Sequence, residues 1–225
     1  MNYPTIQVVN FFENPDYILN YAESLEYEKT DGGYPGKRTK PLHEIDRGLF
    51  TDINSKIIRT LYPDWDTCDR IEYVAKTMFH KITYDDVKYH LENKEYPGKG
   101  WIHNDNESKL TSIIYLSSDK DNGTAIYSKK NGFTTVRCDA SIKKDYYTNN
   151  KVDLNYYLSK LNENINQHNV ECVFNSSYNK MIAFDGSNPH GAFYNLKPGD
   201  ERITLISFFT HIKAPYFHIP EMRRL

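Results

Sequence analysis

The chain has 225 residues, which is enough for one domain spanning residues 1–225 with a substantial hydrophobic core. Its formal net charge of -2 and its pI of about 6.4 give no overall basic surface, so nucleic acid is not expected as a partner. No basic start is followed by an apolar segment and no run of about 18 apolar residues occurs, so we expect no membrane partner and a cytoplasmic protein.

The N-terminal part of the sequence predicts a strand and two helices. The apolar run 6–12 suits a buried strand, and Asn14-Pro15 is a cap and first-turn signal for a helix. We expect this helix to bury Tyr17, Ile18, Tyr21, Ala22 and Leu25. A second amphipathic helix, ended with the help of Pro63, is predicted by apolar residues at every fourth position, namely Ile45, Leu49, Ile53, Ile57 and Leu61.

Two further segments precede the middle of the chain. The turn-rich segment 31–38 is predicted to be a surface loop, and its tyrosine and basic residues make it a candidate rim for a substrate site. Between 72 and 91, two strand-like runs flank the turn residues 84–86, which predicts a hairpin.

The middle of the chain predicts a second hairpin followed by an insertion. Residues 110–116 are rich in β-branched side chains, and the turn signal Asn122-Gly123 precedes a return strand at 124–127, which we expect to pair with 110–116. The strand pattern then weakens at 128–169, an insertion and candidate lid that contains a helix with Val152, Tyr156, Leu158 and Leu161.

Strands resume in the last third of the chain, at 171–174, 180–184, 191–194 and 202–209, and an irregular tail follows Pro215. Two helices followed by many short strands predict a mainly β fold, an antiparallel double-sheet or jelly-roll core with flanking helices. Three cysteines are too few and too irregularly spaced for a metal or redox motif, so we expect ordinary thiols at Cys68, Cys138 and Cys172.

A histidine and a carboxylate two positions apart, His103 and Asp105, form the first part of a candidate metal site. Side chains two apart on an extended strand point to the same face, so both can bind one ion. A second histidine from a later strand, His190, would complete a 2-His-1-carboxylate triad, which holds non-haem Fe(II) and leaves three coordination positions open. The His-x-Asp pair alone is close to a chance occurrence.

Arg202 opens an apolar strand twelve positions after His190, and a buried guanidinium is unfavourable without an anionic partner. A bound dicarboxylate would supply that partner, and Thr204, on the same strand face, could donate its hydroxyl to the same group. The alternative is an exposed arginine at a strand end.

Trp101 and Tyr127 are candidate substrate contacts. Trp101 precedes His103 by two positions and either packs beneath the site or touches the substrate. We expect surface or hydrogen-bonded core roles for the histidines that have no partner at ligand spacing, which are His43, His80, His90, His168, His211 and His218.

Taken in order, these motifs resemble the Fe(II)- and 2-oxoglutarate-dependent oxygenases, specifically their prolyl-hydroxylase-like branch. The matching elements are Tyr96-Pro97-Gly98-Lys99-Gly100, His103-Asn104-Asp105, Tyr115-Leu116, Gly123-Thr124, His190-Gly191 and Arg202-Ile203-Thr204. The segment 8–25 with Tyr34-Pro35-Gly36 is also similar to a poorly characterised relative of this branch, found in phage and marine bacterial sequences. Six elements in the family's order make coincidence improbable.

The resemblance implies a double-stranded β-helix, cupin-like core whose major sheet is supported by N-terminal helices. It implies that His103, Asp105 and His190 ligate Fe(II), and that Arg202 pairs with the distal carboxylate of the cosubstrate 2-oxoglutarate. Tyr115 matches a tyrosine that hydrogen-bonds this carboxylate, and Tyr96 matches an active-site tyrosine. Dioxygen would take the remaining coordination position.

The implied reaction is hydroxylation of a C–H bond in a peptidyl or free amino acid, with desaturation or cyclisation as other outcomes. Asp105 argues against a halogenase, whose relatives lack the carboxylate ligand, and Phe208 stands where nucleic-acid demethylases carry a second arginine. The insertion 128–169 has no counterpart in the better-known prolyl hydroxylases, which leaves other small-molecule substrates open. A non-catalytic binding or structural protein is the alternative from another class.

Overall fold

The computed structural model describes residues 3–29, 32–62, 71–105, 107–117, 122–130 and 140–214. The elements in this part of the chain are, in order, β1 (Ile6–Val8), α1 (Pro15–Ser24), β2 (Lys37–Arg38), α2 (Leu42–Ile45), α3 (Arg47–Leu61), β3 (Glu72–Thr83), α4 (Tyr84–Leu91), β4 (Leu110–Tyr115), β5 (Gly123–Lys129), α5 (Ala140–Tyr147), α6 (Leu154–Asn166), β6 (His168–Asn175), β7 (Lys180–Asp185), β8 (His190–Phe193) and β9 (Glu201–Lys213).

The described strands form two antiparallel sheets. The larger sheet has the order β1-β7-β4-β9-β3-β2, and the smaller has the order β6-β5-β8. The strands predicted at 171–174, 180–184, 191–194 and 202–209 correspond to β6, β7, β8 and β9. The predicted mainly β fold with antiparallel sheets and flanking helices is therefore confirmed.

Alternation along β9 separates the core from the inner face of the larger sheet. Ile203, Leu205 and Phe209 are buried in a cluster that includes the apolar sides of α1 and α3. The intervening residues Arg202 and Thr204 point to the opposite face, which looks toward the smaller sheet. The N-terminal helices thus support the larger sheet from behind, as the sequence predicts.

The two N-terminal helices begin at side-chain caps. The Asn14 side chain accepts a hydrogen bond from the Tyr17 backbone N–H at 3.2 Å, and Asp46 caps α3 by accepting one from Leu49 at 2.9 Å. Because Asp46 adopts an extended backbone, the predicted second helix is divided into α2 and α3. Burial of Tyr17 is a wrong prediction, since its side chain is 58% exposed. Pro63 lies outside the described residues.

The hairpin predicted at 72–91 is wrong, because its second half is helix α4. Thr83 and Asp86 form a capping box in which the Asp86 carboxylate accepts hydrogen bonds from the Thr83 N–H and hydroxyl at 2.8 Å. The residues expected to turn between two strands therefore start a helix.

The pairing of 124–127 with 110–116 is also wrong, although both segments are strands. Strand β4 already lies between β7 and β9, so neither of its edges is free for β5. Strand β5 instead pairs with β6 and β8 in the smaller sheet. Gly123 permits this close packing, because a Cβ at its position would lie 2.1 Å from the Phe174 carbonyl oxygen.

The segment predicted as an insertion contains the end of β5 and the helices α5 and α6. Tyr157, Leu161 and Ile165 of α6 pack against Trp101 and Tyr127, while Tyr156 is exposed. Val152 precedes the helix. Cys172 is a half-buried free thiol, whereas Cys68, Cys138 and the tail after Pro215 lie outside the described residues. Among the described helices, none has the length and apolar character needed to cross a bilayer.

We predict that Leu205→Ala lowers the free energy of unfolding by about 2–5 kcal/mol, because it opens a cavity between the larger sheet and the helices. Chemical denaturation monitored by circular dichroism measures this change. Val173→Ala is the control, since Val173 is 52% exposed, and it should change stability by only about 0.5 kcal/mol. A Leu205→Ala effect no larger than that of the control would contradict the described packing.

Candidate functional site

A cavity of about 340 Å³ opens on the inner face of the larger sheet, and it contains most of the predicted site residues. Its lining includes Trp101, His103, Asp105, His190, Arg202 and Thr204. The structure thus brings together the two halves of the candidate site, which come from the middle and the last third of the sequence. Its volume lies at the small end of the range for ligand-binding sites.

Backbone hydrogen bonds bring the two histidines side by side. The His103 N–H donates to the His190 carbonyl at 2.9 Å, and the His190 N–H donates to the His103 carbonyl at 2.8 Å. The Asp105 N–H donates to the Gly186 carbonyl at 2.8 Å, so the connection between β7 and β8 also holds the backbone of the residue that carries the carboxylate. Gly186 is required there, because a Cβ would lie 2.1 Å from the Ser108 carbonyl oxygen.

His103, Asp105 and His190 form a group that can hold one metal ion. Each residue offers one possible ligand atom, an imidazole nitrogen or a carboxylate oxygen, and these three atoms lie within 4.8 Å of one another. The Nε2 atoms of His190 and His103 are 3.3 Å and 3.7 Å from the two Asp105 carboxylate oxygens. Two imidazole nitrogens and one carboxylate are the ligand set of the facial triad that binds non-haem iron.

Hydrogen bonds on the far side of each imidazole orient it toward the carboxylate. The Nδ1 of His103 lies 3.0 Å from the Trp101 carbonyl, and the Nδ1 of His190 lies 2.9 Å from the Asn188 carbonyl. A carbonyl can only accept, so each Nδ1 carries the proton and each Nε2 presents a lone pair. This is the tautomer that a metal ion requires.

The Asp105 carboxylate is oriented from its own side by a threonine. The Thr111 hydroxyl donates to Asp105 Oδ2 at 2.7 Å. Burial alone would raise the pKa of Asp105, but the neighbouring His190 and His103 imidazoles and the Thr111 hydroxyl hold that pKa below its usual range. Burial and the nearby Lys143 charge hold the pKa of His103 well below its usual value. Both groups are therefore in their metal-binding protonation states at neutral pH.

Arg202 lies deep in the same cavity with unused hydrogen-bonding capacity. It is 4% exposed, its Nη1 donates to the Gly123 carbonyl at 3.3 Å, and its Nε has no partner. Within the described residues it forms no ion pair. The alternative of an exposed strand-end arginine is therefore wrong, and the buried guanidinium needs an anion. Thr204 lines the cavity next to it, as expected from alternation along β9.

Tyr115 belongs to the same part of the site but does not line the cavity. Its ring centroid is 5.3 Å from the Arg202 guanidinium, and its hydroxyl donates to Thr124 Oγ1 at 2.9 Å. Burial raises the pKa of this phenol, so it is a neutral hydrogen-bond donor. Thr124 lines the cavity, so this hydrogen bond links the Tyr115 hydroxyl to a cavity residue.

The structure separates the three remaining aromatic candidates. Trp101 lines the cavity, is 7% exposed, and packs against Tyr157 with ring centroids 5.8 Å apart. Tyr127 points away from the cavity, because alternation along β5 puts it on the face opposite to Thr124. Tyr96 also lies outside the cavity lining, and its hydroxyl donates to Asn166. Only Trp101 is positioned to reach a ligand directly.

Several cavity residues are not singled out by the sequence prediction of the site, although Arg38 lies in the predicted rim segment 31–38, and Lys143 and Tyr147 lie in the candidate lid 128–169. They include Arg38, His80, His90, Lys143, Tyr147 and Tyr194. The cross-strand register explains why His80 and Arg38 line the cavity. His80 on β3 is the neighbour of Thr204 on β9, and Arg38 on β2 is the neighbour of His80. Alternation along β3 could have indicated His80, whereas β2 has only two residues and no detectable period.

The histidines outside the metal group have hydrogen-bonded or surface positions, as predicted for those described. His80 Nε2 lies 2.8 Å from the Pro35 carbonyl, and His90 contacts the Lys99 carbonyl and the Tyr147 hydroxyl at 2.9 and 3.0 Å. Burial lowers the pKa of His90 to about 4, so its imidazole is neutral at pH 7. The exposed His43 faces Glu44, while His218 lies outside the described residues.

Comparisons with protein-family models and with curated proteins find no match. Solved structures do match. The non-haem alpha ketoglutarate dependent epimerase SnoN from nogalamycin biosynthesis is 8% identical, with a TM-score of 0.52 over 91% of this chain and 76% of that chain. HygX from Streptomyces hygroscopicus, with nickel and 2-oxoglutarate bound, is 10% identical, with a TM-score of 0.50 over 91% of this chain and 82% of that chain.

A third similar structure is the carbocyclase SnoK from the same biosynthesis, 8% identical, with a TM-score of 0.50 over 91% of this chain and 78% of that chain. At such low identity these similarities establish the fold. The chain has the double-stranded β-helix fold of 2-oxoglutarate-dependent non-haem oxygenases. The predicted fold class is therefore confirmed, and the fold agrees with the resemblance that the sequence motifs indicate.

We predict that Thr111→Val lowers metal affinity by roughly 10- to 100-fold, because it removes the hydrogen bond that orients Asp105 while keeping the side-chain shape. Anaerobic calorimetric titration with nickel(II) measures this affinity. Ser112→Ala is the matched control, since Ser112 is equally buried but its hydroxyl has no partner. Equal nickel affinity in Thr111→Val and the parent protein would contradict the role of Thr111.

Proposed function

We propose that the protein is an Fe(II)- and 2-oxoglutarate-dependent dioxygenase that hydroxylates an unactivated C–H bond of a peptidyl or free amino acid. One observation carries this proposal: the His103, Asp105 and His190 group and the buried, unpaired Arg202 guanidinium face the same cavity. A metal site alone, or a buried arginine alone, would be compatible with many functions. Their combination fits a metal ion and a dicarboxylate bound together.

The donor set fits ferrous iron. Two neutral imidazoles and one carboxylate would hold Fe(II) from one side, leaving coordination positions for the cosubstrate and dioxygen. When bound, Fe(II) and 2-oxoglutarate would supply the electrons that activate dioxygen, and 2-oxoglutarate would be converted to succinate and carbon dioxide. The Thr111 hydroxyl and the Trp101 and Asn188 carbonyls keep the ligands in position.

The residues around Arg202 fit one carboxylate of 2-oxoglutarate. The guanidinium would make a charge-assisted pair with it, and the Thr204 hydroxyl, on the same face of β9, would donate a further hydrogen bond. Tyr115 would act by exchanging its present hydrogen bond to Thr124 for one to this carboxylate. Burial makes each contact stronger than it would be in water.

The cavity walls would exclude water from the reacting atoms. Apolar side chains from the inner faces of the strands, including Ile82, Ile113 and Ile206, line it together with Trp101. Tyr147 of α5 also lines it, so the insertion contributes to the enclosure. An enclosed site of this kind protects a reactive centre from side reactions.

The similar structures support 2-oxoglutarate as the cosubstrate more directly than they support hydroxylation as the reaction. HygX is described with nickel and 2-oxoglutarate bound, and SnoN and SnoK are named as alpha ketoglutarate dependent. Because those two are an epimerase and a carbocyclase, the same fold also serves outcomes other than hydroxylation. Desaturation or cyclisation of a small molecule is therefore the second candidate. A non-catalytic protein is disfavoured by the retention of all three ligands and of Arg202.

We predict that anaerobic addition of Fe(II) and 2-oxoglutarate produces a weak visible charge-transfer band, and that His190→Ala abolishes it. Arg202→Gln should weaken 2-oxoglutarate binding by about 10- to 100-fold while leaving Fe(II) affinity unchanged, because only the carboxylate partner is lost. Titration of the band with 2-oxoglutarate measures the first affinity, and calorimetry the second.

Arg47→Gln is the control, because Arg47 is exposed at the start of α3. It should bind both partners like the parent protein. The proposal fails if the parent protein gives no band, or if Arg202→Gln binds 2-oxoglutarate as tightly as Arg47→Gln does.

A further inference from the structure

A second arginine, Arg38, lines the same cavity as Arg202. Its guanidinium carbon is 5.8 Å from the Phe208 ring centroid, and Phe208 is six residues from Arg202 along β9. The neighbour of Phe208 in register is Thr111, which hydrogen-bonds the metal ligand Asp105. The backbone of Arg38 is in register with His80 and Thr204, but its guanidinium extends toward Phe208 and so toward the metal group.

The Arg38 guanidinium is held in place but has no anion. It lies over the Tyr34 ring at 3.5 Å from the centroid, which fixes its plane, and its buried Nε has no hydrogen-bond partner. Within the described part of the chain, no carboxylate lies within ion-pair distance of it. Glu107 borders an adjoining groove with Arg38 but is exposed and makes no such pair. A partly buried guanidinium of this kind is a binding site for a carboxylate.

The charges of the bound metal ion, the cosubstrate and their protein partners would balance without Arg38, which leaves its guanidinium free to bind another anion. His103 and His190 would bind iron as neutral imidazoles, so the charges of Fe(II), Asp105, 2-oxoglutarate and Arg202 cancel. His80 and His90 are buried and neutral, and no other carboxylate of the described residues lines the cavity. The positive charge of Arg38 is then not balanced by any further carboxylate among the described residues that line the cavity.

The roof of the cavity favours a small ligand. The rim loop around Gly33 and Tyr34 is in close contact with α5, because a Cβ on Gly33 would lie 2.8 Å from the Lys144 backbone nitrogen and 2.9 Å from Lys143 Cβ. Lys143 and Tyr147 of α5 line the cavity together with Gly33 and Tyr34 of this loop. A chain segment passing between the two would have to separate them, whereas a small molecule fits beneath.

We propose that Arg38 binds the carboxylate of the molecule that is oxidised, and that this substrate is a free amino acid or a similarly small carboxylic acid rather than the interior of a peptide. The inference rests on the proposed function, because it places the anion beside an iron and 2-oxoglutarate centre. Lys143, which also lines the cavity near His103, adds positive charge to the same region.

The test uses the full chain loaded with nickel(II) and 2-oxoglutarate, which occupy the site without turnover. Each of the twenty L-amino acids and its carboxamide is titrated calorimetrically into the loaded protein. We expect at least one free acid to bind at least about 10-fold more tightly than its amide, since only the acid offers a carboxylate to Arg38. Arg38→Gln should remove this preference, and Arg38→Lys should restore part of it.

Two controls separate this test from a failure of folding or of the proposed function. Arg47→Gln, an exposed substitution, should keep the full preference for the acid. Arg38→Gln should keep the parent protein's thermal midpoint within a few degrees, and its nickel(II) and 2-oxoglutarate affinities within threefold. Lys143→Gln, as a second variant, should weaken the preference without abolishing it.

The outcomes are distinguishable. If nickel(II) or 2-oxoglutarate fails to bind the parent protein, the proposed function itself is wrong and this inference falls with it. If both bind but no acid binds more tightly than its amide, or if Arg38→Gln keeps the preference, the substrate inference alone is overturned.

Discussion

The reciprocal backbone hydrogen bonds between His103 and His190 are the constraint on which the rest of the site depends. They join an extended segment of the middle of the chain to the start of β8, so that two motifs distant in sequence share one small volume. Because this contact is made by the backbone, it fixes the ligands before any side-chain interaction with a metal. The neighbouring Gly186 turn adds the carboxylate, and Thr111 orients it. The metal group is thus largely preorganised by the fold.

The cavity combines this preorganised group with two arginines that form no ion pair with any described residue. Arg202 and Arg38 each have a buried Nε that has no hydrogen-bond partner among the described residues. Burying such groups is unfavourable in the free protein, and that free energy is recovered when anions bind. The larger sheet makes the arrangement possible, because its outer face packs on α1 and α3 while its inner face carries the polar residues.

Features that depend on local sequence pattern and on the order of motifs could be predicted from the sequence. Features that depend on tertiary packing could not. The placement of the candidate ligands and of Arg202 on one face could be predicted because strand alternation and motif order determine the directions of their side chains. The partner of β5 could not, because β4 is enclosed between β7 and β9, and sheet membership is not encoded in a turn signal. Tyr96 and Tyr127, which were predicted for the site, lie outside the cavity lining. Arg38 belongs to the segment 31–38 predicted as a candidate substrate rim, but a two-residue strand has no period that would single it out.

The central claim is that one cavity binds iron through His103, Asp105 and His190 and 2-oxoglutarate through Arg202. The most direct measurement is an anaerobic crystal structure of the chain with Fe(II) and 2-oxoglutarate. We expect one metal ion bound by the two Nε2 atoms and the carboxylate, and the distal carboxylate of 2-oxoglutarate within hydrogen-bond distance of Arg202. A metal ion bound elsewhere, or a cosubstrate whose distal carboxylate lies on Arg38 instead, would contradict the account.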